Sequence, residues 1–408
     1  MKIIADLHLH SHFSRATSPK MNLEGISEGA RKKGLNLLGT GDFTHPKYFE
    51  ELKRKLLPSD NGTGIYEYNG IHFMLQVEIS LIYQQGGKQR RVHHVIFAPD
   101  FEAAEQINSM FSKWGRLDYD GRPIFGKSSM EFMDALMALC PDAFVVPAHA
   151  WTPWYGIFGS MSGFDSLKEA FGEHVRHIHA IETGLSSDPA MNWRISELDN
   201  VSLISNSDSH SPYPWRLGRE ANVFDTKMTY KDITNTITTR KGFEYTIEVD
   251  PAYGKYHYDG HRNCGVSMSP EEARKHNNIC PVCGKPLTLG VEHRVEDLAD
   301  RPAGYRPKHA VDFIKLLPLA ELIATARKRS LSSPTVTKEM HQIMKDYSEL
   351  YVLTEMPEDE IRKIADESLA ELILKNRNQE LKIKPGYDGV YGEIILESGA
   401  QSSLLDFS

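Results

Sequence analysis

The chain has 408 residues, a formal net charge of -8, 40% hydrophobic and 25% charged residues. That is the make-up of a globular chain of about two to three domains, and its acidic balance argues against a nucleic-acid coat protein. A local basic groove remains compatible with it, because bound metal ions cancel carboxylate charge.

No apolar run approaches the roughly 18 residues of a membrane span, so no membrane partner is expected. The charged, His-rich start is not that of a secretory signal. Cys140, Cys264, Cys280 and Cys283 are too few for a disulfide scaffold and suit a reducing cytoplasm.

Up to about residue 250, short apolar strands are predicted near Lys2–Ala5, Asn36–Thr40, Phe73–Ile79, Val92–Ala98, Phe144–Pro147, His179–Ile181 and Val201–Ile204. Helices are predicted between them, near Leu23–Lys33, Pro46–Leu56, Ala103–Trp114, Ser129–Leu139 and Asn192–Leu198. This alternation predicts an α/β fold with a mostly parallel sheet, open or closed into a barrel. After Val249 the chain becomes turn-rich and aromatic, and a Cys/His segment follows to about His293. From Val311 to Lys375 it reads as mostly helical. Phe313, Leu316, Leu317, Leu319 and Leu322 form one apolar stripe, and Ile361, Ile364, Leu369, Leu372 and Ile373 a second, both expected to pack as helical core. The last dozen residues read as a flexible tail.

Polar residues with metal-binding chemistry recur at the predicted strand ends. His8 and His10 lie two apart at the end of the first strand, so they share a face and can close on one divalent ion. Then come Asp42 and His45, Glu78, the pair His93 and His94, His149, Glu182, and Asp208 with His210. So many carboxylates and imidazoles in one cleft are costly without cations. Mixed nitrogen and oxygen ligands in that number suit two or three ions of the Zn, Mn, Mg or Fe type. Two ions about 3.5–4 Å apart would clamp a phosphoester for in-line hydrolysis.

The motifs Asp6-Leu7-His8-Leu9-His10-Ser11, Gly41-Asp42, Val77-Glu78, Ala148-His149 and Ser207-Asp208-Ser209-His210 resemble the signature of the PHP (polymerase and histidinol phosphatase) superfamily. The resemblance covers about the first 230 residues. It implies a distorted (β/α)7 barrel with a trinuclear metal site, and carries over His8, His10, Glu78, His149, Asp208 and His210 as ligands. Two positions depart from the pattern. The usual Thr-Asp-His turn reads Gly41-Asp42-Phe43, which leaves Asp42 or His45 as the ligand. The single His of the third motif is doubled, with His93 the better fit. Glu182 stands as a further ligand or supporting base, so the catalytic set is Asp208, His210 and Glu182.

His261-x2-Cys264, a fifteen-residue spacer and Cys280-x2-Cys283-Gly284 have the spacing of a tetrahedral Cys3His structural zinc, with His257 and His276 as rival fourth ligands. The barrel motifs joined to this segment, to Glu292-His293-Arg294-Val295 and to Gly304-Tyr305-Arg306-Pro307, resemble the archaeal-type endonuclease Q family over nearly the whole chain. That resemblance implies cleavage 5′ to a deaminated base (uracil, hypoxanthine, xanthine) or abasic site in DNA. A phosphatase or exonuclease built on the same barrel is the alternative, and a non-catalytic DNA- or clamp-binding module a third.

Candidate DNA contacts are Arg90, Arg91, Arg216 and Arg219 for phosphates and Trp151, Trp154 and Tyr155 for stacking. In the tail, Gln401, Leu404 and Phe407 resemble the box by which repair proteins dock on the sliding clamp PCNA. The expected organisation is a barrel over 1–250, a zinc module over 251–298, a helical domain over 299–390 and a tail over 391–408. The expected setting is the nucleoid.

Overall fold

A computed structural model describes residues 1–59 and 64–395. The clamp-box residues Gln401, Leu404 and Phe407 lie outside the described residues. No helix among those described is long and apolar enough to cross a membrane.

Seven strands build a ring. Lys2–Asp6 pairs parallel with Leu37–Gly39, which pairs parallel with Ile71–Gln85. Lys88–Ala98 then runs antiparallel to Ile71–Gln85 and to Phe144–Pro147. The Ala150 N–H bonds Glu182 O at 2.9 Å, leading to Ala180–Glu182, which is parallel to Ser202–Ile204. The ring returns to its start just past the first strand. There Leu9 bridges Ser209, and the Leu7 N–H reaches Asn206 Oδ1 at 2.8 Å. Closure falls there because the free edge of Lys2–Asp6 is taken by Ala221–Asp225. That sheet continues through Phe243–Glu248 to Asp312–Lys315. One antiparallel strand in a mostly parallel ring is the distortion.

Strand alternation sorts the core. Ile3, Ala5, Leu37, Met74, Val95, Phe97, Val146, Ala180 and Ile204 are buried in one cluster, which Tyr230, Ile233 and Ile237 of the helix Tyr230–Thr239 join. The opposite set, including Leu38, Phe73, Leu75, Val77, Ile96 and Ile181, packs in a larger cluster with the surrounding helices. Two of these helices match their sequence signals in full. Leu23–Lys33 is capped by Asn22 at its start and by left-handed Gly34 at its end. Ser129–Leu139 begins on a Ser128/Glu131 capping box.

Two predicted elements are corrected. No helix spans Asn192–Leu198: a single turn, Pro189–Asn192, ends there, and a 3-10 turn follows at Ser196–Asn200. The stripe starting at Phe313 is not helical at first. Asp312–Lys315 is a strand, and the helix begins at Leu319.

Beyond the barrel, the hairpin Asp259–His261 with Val266–Met268 precedes the helices Pro270–Lys275 and Val291–Leu298. Arg294 ties the second helix to the barrel through the carbonyls of Phe158 and Phe164, both at 3.0 Å, and Asp165. Five helices between Leu319 and Arg377 then pack on one another and on the barrel. Buried Lys33 donates to Glu349 Oε1 at 2.9 Å across that junction.

Candidate metal centre

Alternation delivers the ligands. On the strand Ile71–Gln85, buried Met74 and Gln76 share a face with Glu78; on the antiparallel partner, Phe97 and Val95 share one with His93. Glu78 and His93 therefore emerge at the same end of the ring. His94 points the other way, bonds Ser129 Oγ at 3.0 Å and stacks on Phe132. Further residues of the centre sit on turns just past strand ends. Asp42, His149 and Asp208 have φ of 40°, 32° and 49°, left-handed values that cost a non-glycine residue about 1–3 kcal/mol each and gather at functional sites.

Two clusters converge there and share one residue. His8, His10, Glu78 and Asp208 present ligand atoms within 4.8 Å of one another, and so do Glu78, His93 and His149. One oxygen of Glu78, Oε2, lies 3.1 Å from His10 Nε2 and 3.8 Å from His8 Nε2. Its other oxygen, Oε1, lies 2.7 Å from His93 Nδ1 and 3.0 Å from His149 Nε2. Each oxygen thus faces its own group, the arrangement of a carboxylate bridging two ions. His8 Nε2, His10 Nε2 and Asp208 Oδ1 are buried without hydrogen-bond partners. Orphaned buried polar atoms are rare. Asp208 Oδ1 lies 3.1 and 3.7 Å from the two imidazole nitrogens, near the edge of about 3.4 Å that a tetrahedron with 2.0–2.2 Å bonds requires. The donor set therefore fits divalent ions.

A second layer aims these ligands. Both Glu182 oxygens lie 3.0 Å from His8 Nδ1. Asp42 Oδ1 lies 3.1 Å from His10 Nδ1, and Asp42 Oδ2 accepts from Ser11 N–H and the hydroxyls of Ser11 and Ser14. His149 Nδ1 meets Thr152 Oγ1 at 3.0 Å. A carboxylate on Nδ1–H leaves the Nε2 lone pair facing the cluster and raises its basicity.

Burial alone would push the Glu78 carboxyl up. The charges of His93 and Arg122, with His10 and His149 beside it, hold it well below the usual carboxylate range. Against their own burial, His8 and His10 are pushed well above the usual imidazole range by Glu182 and Asp208, and by Asp208 and Asp42.

Other expected site residues lie outside the two clusters. Asp42 and Glu182 face the backs of His10 and His8. His45 starts the helix Pro46–Lys55 and stacks on Phe13 at 4.1 Å, outside both clusters. His210 lies beside them, its ring 4.5 Å from that of His10 and its Nδ1 3.0 Å from Asp208 O. Arg90 is buried, held by Gly163 O and Glu169 and stacked on Phe164, so its guanidinium is committed internally. Trp151 is also buried, its indole N–H on Asn192 Oδ1 at 2.7 Å.

The other candidates stay near the surface. Arg91 bonds Gln89. Trp154 is 42% exposed, and Tyr155 packs 4.3 Å from His93. Arg219 holds Ser207 O at 3.2 Å beside the Asp208 turn. It lines a cavity of about 250 Å³ with Arg216, Trp215, Tyr253, Glu321 and Tyr391. Sequence reasoning missed Arg122, whose Nη1 donates to Glu78 Oε2 at 2.9 Å. Its setting between Gly121 and Pro123, a turn next to a metal strand, was the available signal.

A separate cluster unites His261, Cys264, Cys280 and Cys283. Cys283 Sγ lies 3.3 Å from His261 Nδ1, whereas His257 pairs with Glu292 at 3.1 Å. Each Cys knuckle ends on a left-handed glycine, Gly265 or Gly284. The four donors fit a tetrahedral zinc.

The MJ0043 C-terminal domain family matches residues 318–380. An uncharacterised protein of Methanocaldococcus jannaschii is 33% identical over 252 residues, 60% of this chain and 31% of that protein. The chain thus spans about a third of that relative's length. The uncharacterised protein YqxK of Bacillus subtilis is 27% identical over 413 residues, 96% of this chain and 99% of that one. Among solved structures, a lesion-specific endonuclease from Pyrococcus furiosus matches with a TM-score of 0.87 and 33% identity over 98% of this chain and 96% of that one. Endonuclease Q in complex with a 27-mer duplex substrate, with an abasic lesion at the active site, matches with 0.86 and 34% over 100% of both.

Proposed function

The chain belongs to the endonuclease Q family, and from that premise we propose that it is a metal-dependent DNA repair endonuclease. It cuts the phosphodiester 5′ to a deaminated base (uracil, hypoxanthine or xanthine) or an abasic site, leaving 3′-hydroxyl and 5′-phosphate ends. The observation that carries this is the pair of ligand clusters meeting on Glu78, in a chain matched end to end by an enzyme solved with abasic DNA at its active site.

His8, His10, Glu78 and Asp208 would hold one ion, and Glu78, His93 and His149 a second. When bound, such ions supply nucleophile activation and charge neutralisation for in-line phosphoester hydrolysis. Glu182 and Asp42 keep His8 and His10 in the ligating tautomer. His210, with Nδ1 on a backbone carbonyl, presents Nε2 as a proton acceptor beside the reacting phosphate. Arg216 and Arg219 bring hydrogen-bond donors to the cavity they line, and Arg219 also holds Ser207 O. The cavity's volume accepts an extruded base, and donors there favour the carbonyl that deamination creates.

A single Cys3His zinc staples the knuckles. The tail, through Gln401, Leu404 and Phe407, docks on PCNA. The setting is the cytoplasmic nucleoid.

The test is a panel of duplexes bearing uracil, hypoxanthine, an abasic site or no lesion, incubated with Mg, Mn or Zn, with the cut mapped. Incision one bond 5′ to the lesion is expected, lost in Asp208→Ala while duplex binding stays measurable. Phosphate release from small phosphoesters without nicking of any duplex, or full activity of Asp208→Ala, would refute it.

A further inference from the structure

Arg122 is mounted on a segment pinned on both sides. Preceding it, the Gly121 N–H bonds Phe13 O at 3.1 Å, and Gly121 O accepts from Thr44 Oγ1 at 3.4 Å. Gly121 lies so close to the ligand shell that a Cβ there would stand 2.2 Å from Asp42 Oδ2 and 2.4 Å from Ser14 Oγ. Following it, Pro123 O accepts from the Ser80 N–H at 2.9 Å, two residues along the strand from Glu78. The guanidinium cannot drift far from the metal centre, yet its side chain keeps 32% exposure. His8 and His10 of the same centre are fully buried.

Its single side-chain partner is Glu78 Oε2, at 2.9 Å. That oxygen also belongs to the cluster of His8, His10 and Asp208. A cation ligated there and the guanidinium would compete for one oxygen at close range, where like charges repel. Occupation of the cluster therefore frees an anchored, always-charged group with a planar fork of donors, the geometry that matches a phosphate.

We infer that Arg122 is a catalytic residue of this hydrolase: it gives up Glu78 when the metal site fills and donates to a non-bridging oxygen of the scissile phosphate, where charge builds in the transition state. This rests on the proposed endonuclease reading for its substrate, but not for its competition with metal. The residue takes the role that a third cation has in a trinuclear centre. Neither Asp42 nor His45, the alternatives the sequence left for the departing turn, belongs to either ligand cluster among the described residues.

The experiment compares wild type with Arg122→Ala and Arg122→Lys in the full chain. Metal affinity of the apoprotein is read by competition of Mn²⁺ against a chelator. Incision of a uracil-containing duplex is read at saturating DNA. Removing the competing guanidinium should tighten metal binding, on the order of tenfold. The same change should lower kcat by about 10²- to 10³-fold, with Arg122→Lys intermediate and KM changed little. Weaker metal binding in Arg122→Ala would show that the residue merely supports Glu78, and overturns the inference. So does unchanged kcat while wild type cuts. If wild type itself cuts no lesion duplex, the endonuclease reading fails, and the metal competition still decides whether Arg122 and a cation exchange on Glu78.

Discussion

Glu182 is the residue at which the sequence and the structure assign different jobs. From sequence it stands at a strand end like the ligands do, and a carboxylate there reads as ligand or base. In the fold its oxygens are occupied by His8 Nδ1, the His149 N–H and Asn206 Nδ2. In the reading proposed above it steers a ligand, its oxygens being already engaged. Glu182→Gln should therefore weaken metal binding about 10- to 100-fold and restore incision when metal is raised. A base would behave oppositely, losing incision at every metal concentration while affinity stays put. The convergence of His8, His10, Glu78, His149 and Asp208 was legible because strand alternation and the motif order place them at one end of the sheet. The roles of Asp42 and Glu182 were not, because which carboxylate faces a metal and which faces the back of an imidazole depends on turns with positive φ. Sequence pattern does not encode that choice.

At the scale of elements, the strand Phe243–Glu248 joins two parts of the molecule. It pairs antiparallel with Ala221–Asp225 and parallel with Asp312–Lys315. The second pairing was missed because Phe313, Leu316 and Leu317 fit a helical spacing as well as a short buried strand. Periodicity alone does not separate the two in runs this short. The long helices with caps and charged ends were read correctly, since their signals are local.

This strand ends on a buried carboxyl. Burial pushes Glu248 up to about 7, partly offset by hydroxyl donors from Thr246, Thr183 and Ser205. Its buried neighbour Glu220 is raised as well, by burial and by Glu248. The sign follows from linkage. A carboxyl with a folded-state value above its ordinary 4.5 gives stability that is fully present below that ordinary value and is lost as pH rises toward 7. Glu248→Gln keeps the shape and removes the titration. Its melting temperature should match wild type at pH 5 and exceed it at pH 8, by on the order of 5 °C. Thermal unfolding at the two pH values checks this, and an equal difference at both would mean the carboxyl does not titrate in the window.

On the scale of the whole molecule, the parts differ in what holds them. The barrel and the C-terminal helices share one large apolar cluster. The knuckle segment has only Ala273, Cys280 and Leu287 as its buried core, with Cys264, Val266 and Met268 packed against them. So small an apolar core leaves the segment in need of a further source of stability. Metal binding at His261, Cys264, Cys280 and Cys283 would supply it, since structural zinc folds such modules outright. Cys283→Ser, or extraction of that zinc, should then unfold the knuckles while the barrel strands keep their protection. Hydrogen exchange resolves the two: amides of residues 259–289 should become unprotected, and those of Ile71–Gln85 should not change. Because the helix Val291–Leu298 stays pinned to the barrel through Arg294, the loss should stop near Gly290. Exchange that spreads into the barrel would mean that the zinc supports the metal centre itself, and protection retained in the knuckles would mean that their fold does not depend on the ion.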